Sequence, residues 1–215
     1  MKKAVIFDLD GTIISGKSTE MRFIEHLFKK GELNLINIFW YILKFLRNIG
    51  RWNRMVSQNK YYLKGKSFEK LSDIANEFFL PIVDKLAPEE IKRIIQTHKE
   101  NGDLLIIISG TLNFILDIFS NSFSFDDKKG TELEIKNGKF TGKISGIHPS
   151  NNGKVIILEE FVNKYSIDLV NSTAYGNHFG DRFLMEMVGN PTAVNPDRKL
   201  LKYAQSKKWR ILEIR

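Results

Sequence analysis

Short apolar runs and helical patterns alternate along most of this chain. Four runs have the β-prone composition of buried strands, and glycine or polar residues follow each run. These strands are predicted at residues 4–9, 104–108, 172–175 and 192–194. Helices between them are predicted at residues 114–119, 154–165 and 183–188. Strands that alternate with helices indicate an α/β fold with a doubly wound parallel sheet.

Residues 16–86 break this alternation, because they contain no convincing strand. Their pattern predicts helices at residues 18–30, 33–49, 52–63 and 67–85. The last of these helices should kink or end at Pro81. We therefore expect a core built from residues 1–15 and 87–215, with residues 16–86 inserted as a helical cap.

Residues 132–147 are the second exception. Apolar and polar positions alternate there around Asn137-Gly138, a dipeptide that is a strong signal for a tight turn between two strands. We expect a β-hairpin in this segment.

The composition is that of a globular protein and bears on the cellular compartment in which the protein is expected. Of the 215 residues, 42% are hydrophobic, which is enough apolar material for a packed core. Cysteine is absent, so disulfides and zinc–thiolate sites are excluded, and a reducing cytoplasm is the simplest location. Asp8 and Asp10 interrupt the first apolar run, so we expect no secretion signal. The net charge of +8 comes largely from lysines spread along the chain, which favours a solvated surface, and no nucleic-acid partner is expected.

Polar clusters follow three of the predicted strands. They comprise Asp8 with Asp10, then Ser109-Gly110-Thr111, and then residues 176–181. In open parallel sheets, ligands bind outside the carboxyl ends of the strands. We therefore expect these three clusters to meet in one pocket.

The segment Asp8-Leu9-Asp10-Gly11-Thr12 carries the strongest chemical signal. A carboxylate such as Asp8 can attack phosphorus without first losing a proton at neutral pH. Asp10, if protonated, can donate its proton to a leaving oxygen. Gly11 allows a sharp turn of the backbone. The alternative is an ordinary turn, in which aspartate and glycine are also common.

Taken with the later clusters, this segment resembles the haloacid-dehalogenase-like (HAD) superfamily of phosphohydrolases. FDLDGT, IISGT, a lone lysine at position 154 and YGNHFGD occur in the order of that superfamily and at plausible spacings. The tail VGNPTAVNPDRKLLKYAQSKKWRIL is similar to the phosphoserine-phosphatase-like branch, subfamily IB, which has a helical cap. The resemblance covers essentially the whole chain and implies a Rossmann-like core.

The resemblance implies roles for the remaining residues. The Ser109 hydroxyl and the backbone N–H groups that follow it, beginning with Gly110, would hold the phosphate. Lys154 would screen the repulsion between Asp8 and that phosphate. Mg²⁺ would bind the carboxylate of Asp8, the backbone carbonyl of Asp10 and the loop that contains Asn177 and Asp181. The reaction implied is hydrolysis of a phosphate monoester through an aspartyl-phosphate on Asp8.

Asn177 departs from the family pattern, because an aspartate usually stands there. The amide oxygen of asparagine can still coordinate a cation, but one negative charge is lost. Asp181 matches the second acidic position and could hold the waters of the site or become a direct ligand. A catalytically weak domain that binds a phosphorylated ligand therefore remains an alternative.

The expected partner is a small phosphorylated metabolite of unspecified identity. Lys17 stands where phosphoserine phosphatases carry a glutamate that reads the amino group of the substrate, which argues against phosphoserine. His148 lies near the loop that leads to Lys154. It is either an ordinary loop residue or a residue that faces the entrance of the site.

The inserted segment also allows a membrane alternative. An apolar stretch there is followed by a basic stripe flanked by two tryptophans, and these residues are Trp40, Lys44, Arg47, Arg51, Trp52 and Arg54. Such a helix could contact an anionic lipid surface, which would suggest a lipid-phosphate substrate. A cap helix with a solvated charged face is the interpretation we favour.

Overall fold

A computed structural model describes residues 1–33 and 60–214 of the protein. The predicted helix at 33–49, most of the one at 52–63 and the whole basic stripe lie outside the described residues. The membrane-surface hypothesis built on that stripe therefore stays a prediction.

The centre of the molecule is a seven-stranded sheet with the order β4-β3-β2-β1-β5-β6-β7. The strands are β1 Ala4–Phe7, β2 Leu104–Leu112, β3 Asp127–Lys136, β4 Lys139–Ser145, β5 Thr173–Gly176, β6 Asn190–Val194 and β7 Arg210–Leu212. All neighbouring pairs are parallel except β3 and β4, which form an antiparallel hairpin at one edge. The predicted α/β class, parallel sheet and hairpin are confirmed.

Strand β1 lies between β2 and β5, so the chain builds the sheet first on one side of β1 and then on the other. Connections that diverge from a strand in this way leave a crevice at its carboxyl end, where open α/β sheets bind their ligands. The residues that follow Phe7 therefore enter the crevice.

The part of the chain that the structure describes contains eight α-helices. They are α1 Thr19–Lys29, α2 Phe68–Phe79, α3 Val83–Leu86, α4 Glu89–Glu100, α5 Asn113–Ser122, α6 Asn152–Tyr165, α7 Arg182–Met185 and α8 Arg198–Ser206. Two 3₁₀ turns, Tyr61–Leu63 and Phe179–Asp181, complete the described elements. None of the helices in residues 1–33 and 60–214 is long and apolar enough to cross a membrane.

Side-chain caps explain where three helices begin. The Ser18 hydroxyl accepts a hydrogen bond from the Met21 N–H, and the Ser67 hydroxyl accepts one from the Lys70 N–H. Asp197 accepts bonds from two backbone N–H groups at the start of α8. Each bond satisfies an amide that has no partner inside its helix.

Several predicted boundaries were wrong. The strand predicted at 104–108 continues to Leu112, because β3 supplies partners for its later residues. By contrast, the break predicted at Pro81 in the helix at 67–85 is present, because the helix ends at Phe79 and a new one begins at Val83. The helix predicted at 183–188 is only the short α7, and residues 61–63 form a 3₁₀ turn. Helices α4 and α8 and strand β7 were not predicted.

Each face of the sheet has its own hydrophobic core. Val5 and Phe7 of β1 belong to one cluster, whereas Ala4 and Ile6 belong to the other. Both sets are fully buried, which explains why β1 has a continuous apolar run rather than a polar alternation.

The described helices of the 16–86 segment pack into the first of these clusters. Phe79 of α2 is fully buried and lies edge-on to Phe119 of α5, with 5.4 Å between ring centroids. It also packs against Phe23 of α1, at 6.2 Å. Phe79 thus joins α1 and α2 to a helix on the sheet, so this part of the segment and the sheet share one apolar core.

We expect Phe79→Ala to destabilise the protein by about 3–5 kcal/mol, because it opens a cavity between three helices. The adjacent Leu80 has 55% of its surface exposed, so Leu80→Ala is a matched control with little effect. Urea denaturation followed by circular dichroism measures both. If the core is shared, Phe79→Ala should show a single unfolding transition, and that transition should move to a lower urea concentration. A separate early transition in Phe79→Ala would contradict it.

Candidate active site

The first polar cluster lies directly beyond β1. The Asp8 N–H donates to the Tyr175 carbonyl at 3.0 Å, so the strand geometry extends to Asp8. The chain then turns at Gly11, whose φ of +83° is strained for residues with a side chain. A Cβ atom on Gly11 would lie 2.0 Å from the amide nitrogen of Asn177. Glycine therefore allows the turn and the close approach of the Asn177 loop.

A buried lysine joins two of the predicted carboxylates. The Lys154 Nζ donates to Asp8 Oδ1 at 2.6 Å and to Asp181 Oδ1 at 2.7 Å. The lysine side chain is 5% exposed, and those of Asp8 and Asp181 are 12% and 7% exposed. Water therefore screens these charges little, and each depends on the others for compensation.

The loop before α6 places Lys154 in this position. Asn151 has a φ of +48°, and α6 begins at the next residue. A Cβ atom on Gly153 would lie 2.1 Å from the His148 carbonyl oxygen, so a larger residue would displace the start of the helix. The close packing at Gly153 therefore sets how near Lys154 lies to the carboxyl end of β1.

Burial and charge shift the acid–base balance of this cluster. Burial raises the pKa of the Asp8 carboxyl above its usual range, and the neighbouring Lys154 opposes that shift. Burial on its own would lower the pKa of Lys154, but Asp181 and Asp8 outweigh it and raise that pKa above its ordinary value. The ammonium group therefore stays charged and favours ionised Asp8.

Asp10 has a different environment. Its Oδ1 accepts from the Thr19 N–H at 2.7 Å, and its Oδ2 accepts from the hydroxyls of Thr111 at 2.9 Å and Thr19 at 3.1 Å. Burial raises the pKa of Asp10, these hydrogen bonds oppose the shift, and the charge of Glu20 adds to it. Among residues 1–33 and 60–214, the hydrogen-bond partners of Asp10 are uncharged, whereas Asp8 is paired with an ammonium group.

The Ser109-Gly110-Thr111 cluster lies within β2 rather than beyond it. The pairing of β2 with β3 shifts register between Ile108 and Leu112, so the strand is irregular there. The Ser109 hydroxyl donates to the Thr111 hydroxyl at 3.3 Å, and Ser109 is 2% exposed. Ser109 is thus linked through Thr111 to Asp10.

The third cluster surrounds Asn177 and Asp181. Asn177 Oδ1 accepts from the Thr12 hydroxyl at 3.4 Å, a long hydrogen bond. Asp181 Oδ2 accepts from the His178 N–H at 2.9 Å, while its Oδ1 accepts from Lys154. The His178 side chain is 73% exposed, and its Nδ1 caps the following 3₁₀ turn, as expected of a loop histidine.

The donor atoms at this edge suit a hard divalent cation. Asp8 Oδ2, the Asp10 carbonyl oxygen and Asn177 Oδ1 are all oxygens, the ligand type that Mg²⁺ prefers. In the described residues, no group of three His, Cys, Asp or Glu side chains is arranged as a metal site.

A second polar group borders the cluster. The Lys60 ammonium forms an ion pair with Glu20 Oε2, and the Tyr62 hydroxyl donates to Glu20 Oε1 at 2.6 Å. His148 Nδ1 lies 2.9 Å from the Thr131 hydroxyl, which donates to the Gly110 carbonyl at 2.6 Å. Burial, followed by the charge of Lys60, lowers the pKa of His148 to about 4.

Sequence reasoning missed Thr19, Glu20 and Lys60 as neighbours of the site. Thr19 follows the helix cap Ser18, and that cap was the one available signal that this backbone N–H would be free to bind a carboxylate. Lys17, the position compared with phosphoserine phosphatases, is exposed and pairs with Glu25 at 2.6 Å.

Relatives with similar sequences are named as phosphatases. A histidinol-phosphatase from Neisseria meningitidis is 28% identical over the full length of both chains. A protein named probable phosphatase from Mycobacterium tuberculosis is 27% identical, covering 98% of this chain and 75% of the relative. A phosphoserine phosphatase from Archaeoglobus fulgidus is 27% identical, covering 90% of this chain and 53% of the relative.

Solved structures share the fold. A protein of unknown function from Bordetella pertussis has a TM-score of 0.85 at 20% identity, with 98% of each chain covered. A phosphoserine phosphatase with a phospho-aspartyl intermediate analogue has a TM-score of 0.65 at 20% identity, with 99% of this chain and 93% of that chain covered.

The family model described as haloacid dehalogenase-like hydrolase matches residues 5–186, a span that runs from β1 to just past α7 and includes the three polar clusters. The chain belongs to the haloacid dehalogenase-like hydrolase family, and it is an enzyme of the hydrolase class.

Proposed function

We propose that the protein is a Mg²⁺-dependent phosphatase that hydrolyses the phosphate monoester of a small metabolite through an aspartyl-phosphate on Asp8. The observation that carries this proposal is the buried contact of Lys154 with Asp8 and Asp181, beside an Asp10 that accepts hydrogen bonds from Thr19 and Thr111. Lys154 favours the ionised form of Asp8 against the opposing effect of burial, and burial favours the protonated form of Asp10. The reaction needs these two forms.

In the first step, an Asp8 carboxylate oxygen forms a bond to phosphorus while the bond from phosphorus to the ester oxygen breaks. Asp10 donates its proton to the departing oxygen, which leaves as an alcohol. Its hydrogen bonds to Thr19 and Thr111 hold the carboxyl in place for this transfer. The products of the step are the alcohol, the phosphorylated Asp8 and ionised Asp10.

In the second step, Asp10 accepts a proton from a water molecule as the water oxygen attacks phosphorus. The bond between phosphorus and Asp8 breaks, and inorganic phosphate leaves with the Asp8 carboxylate restored. Asp10 ends protonated, so both residues return to their starting forms.

The other predicted residues would hold the phosphate in line for attack. The Ser109 hydroxyl and the Gly110 N–H would donate to its oxygens, and Lys154 would offset its charge. Asp8, the Asp10 carbonyl and Asn177 would hold Mg²⁺, and Asp181 would hold waters of that ion. When bound, Mg²⁺ would supply further neutralisation of charge on the transferring phosphoryl group.

We propose that residues 16–86 act as a cap over this site. Thr19 at the start of α1 contacts Asp10, and the charges of Lys60 and Glu20 influence the pKa of His148. The organic part of the substrate would lie against this polar group. A closed cap would exclude bulk water while phosphate is transferred to Asp8, and the second step would then need the entry of one water molecule.

The relatives suggest where to look for the substrate. Histidinol phosphate and phosphoserine are candidates because of the names of two relatives. Phosphoserine is the weaker candidate, since Lys17 is exposed and ion-paired. A lipid phosphate remains the membrane-surface alternative, and the cytoplasmic location remains a prediction.

We expect Asp8→Asn to lower turnover by roughly 10³-fold or more, because an amide is a poor nucleophile. Purified protein with Mg²⁺ is assayed for phosphate release from histidinol phosphate, phosphoserine, lysophosphatidate and a set of sugar phosphates. The control is Asp73→Asn, which makes the same chemical change at an exposed position of α2. Activity that survives Asp8→Asn would refute the proposed nucleophile, and no release from any ester would favour the catalytically weak alternative.

We expect Asn177→Asp to lower the Mg²⁺ concentration for half-maximal activity by roughly tenfold, because a carboxylate replaces an amide among the ligands. Mg²⁺ should also raise the melting temperature of this variant more than that of the parent. Asn137→Asp adds the same charge in the hairpin turn, far along the chain from this loop, and serves as the control. Unchanged Mg²⁺ dependence in both measurements would exclude Asn177 from the metal site.

We expect His148 to stay neutral in the folded protein until the pH falls to about 4. Its ordinary pKa is near 6.5, so the unfolded chain binds the proton more readily. Above about pH 6.5, His148 is neutral in both states and does not affect the free energy of unfolding. As the pH falls from there towards 4, the unfolded chain takes up the proton first, so the free energy of unfolding decreases. An NMR titration of the imidazole measures the pKa directly, and His148→Asn should lose less stability between pH 7 and pH 4.5 than the parent. A titration midpoint near 6.5 would contradict the buried placement.

A further inference from the structure

A large groove lies at the amino ends of the strands, whereas Asp8 lies at their carboxyl ends. Its volume is about 1030 Å³, and residues from the beginning of β5, β6 and β7 line it. Its polar and charged lining includes Lys3, Thr173, Thr192, Lys207, Lys208 and Arg210. None of these residues takes part in the proposed reaction.

The first residues of β6 and β7 border the groove on the face of the sheet that carries the Tyr175 side chain. Helix α8 connects these two strands and packs on the other face, where Leu200 and Ala204 join the second hydrophobic cluster. On the groove side, α4 reaches as far as β5, where His98 Nε2 lies 3.0 Å from the Tyr175 hydroxyl. In the sheet register, Thr192 of β6 lies beside Tyr175, and Arg210 of β7 lies beside Thr192.

Two threonine hydroxyls in the groove have no hydrogen-bond partner in the described part of the chain. Thr173 is 8% exposed and Thr192 is 3% exposed. Their neighbours Ala174 and Ala193 point into the opposite cluster, so strand alternation directs both threonines to the groove side. Neither hydroxyl oxygen is among the fully buried side-chain atoms that lack a partner in residues 1–33 and 60–214, so both are open to the groove and can donate to a ligand there.

The charge of the groove is strongly positive. Four of its lining side chains are lysine or arginine, whereas Glu186 is its one carboxylate. Lys3 pairs with Asp103 at 3.1 Å, and Lys207 lies 4.0 Å from Glu186. Lys208 and Arg210 form no ion pair with any residue in 1–33 or 60–214, so two cationic groups remain available.

We propose that this groove is a second binding site, which takes a small molecule that carries a phosphate group. An arginine fork and hydroxyl donors are the groups that bind phosphate oxygens, and the nearby lysines add attraction. The volume exceeds what a bare phosphate ion fills and suits a phosphorylated organic molecule. The proposal does not depend on the proposed catalytic function, because none of the proposed catalytic, phosphate-binding or metal-binding residues lines the groove.

The test is an NMR titration of the ¹⁵N-labelled full chain with inorganic phosphate and, separately, with AMP. EDTA is present to suppress turnover, and sodium chloride keeps the ionic strength constant. Amide shifts at Thr173, Thr192 and Arg210 report the groove, whereas shifts at Ser109 and Gly110 report the candidate active site. The two sites are therefore read separately in one spectrum.

We expect saturable shifts at the groove residues, with a dissociation constant roughly tenfold higher in Arg210→Gln and in Thr192→Val. Lys202→Gln removes one charge from an exposed position of α8 outside the groove and should leave the constant unchanged. Tighter binding of AMP than of phosphate would identify an ester as the ligand, and equal binding would identify free phosphate. Shifts confined to Ser109 and Gly110, or equal affinity in all variants, would overturn the proposal.

Discussion

The ammonium group of Lys154, held between the carboxylates of Asp8 and Asp181, is the constraint on which the site depends. All three side chains are nearly buried, so none can lose its partner without leaving a charge exposed to an apolar surrounding. The three residues come from the end of β1, the loop after β5 and the first turn of α6. One ion cluster thus fixes the relative positions of three elements that are far apart in the chain.

The same constraint separates the roles of two aspartates that are only two residues apart. Asp8 faces a fixed cation, whereas Asp10 faces hydroxyls, a backbone amide and the charge of Glu20. In the proposed mechanism, environment rather than residue type would distinguish the nucleophile from the acid, as in other enzymes that use paired carboxylates. The contact of Asp10 with Thr19 also ties the acid to the first helix of the inserted segment.

Much of this arrangement could be predicted from the sequence. Because parallel strands end at one edge of the sheet, the clusters after residues 9, 108 and 175 were expected to meet, and the structure places Asp8, Lys154 and Asp181 in contact there. The hairpin at Asn137-Gly138 was equally clear, since its turn requires the conformation that this dipeptide favours.

Other features depend on tertiary contacts that no local pattern records. Thr19 reaches Asp10 only because the chain folds back after Gly11, and Lys60 meets Glu20 across a separation of 40 residues. Strand β7 has three residues, too few to show a period. By contrast, α4 follows Pro88 and begins with Glu89 and Glu90, and these residues are recognisable helix-start signals in the sequence.

The central claim is that Asp8 itself becomes phosphorylated. Enzyme that is turning over an active phosphate ester is quenched in acid, treated with borohydride and mapped by peptide mass spectrometry. Borohydride reduces an acyl phosphate to an alcohol, so position 8 should be recovered as homoserine, and only when substrate was present. An unmodified Asp8 in quenched enzyme, with homoserine at another aspartate, would contradict the account.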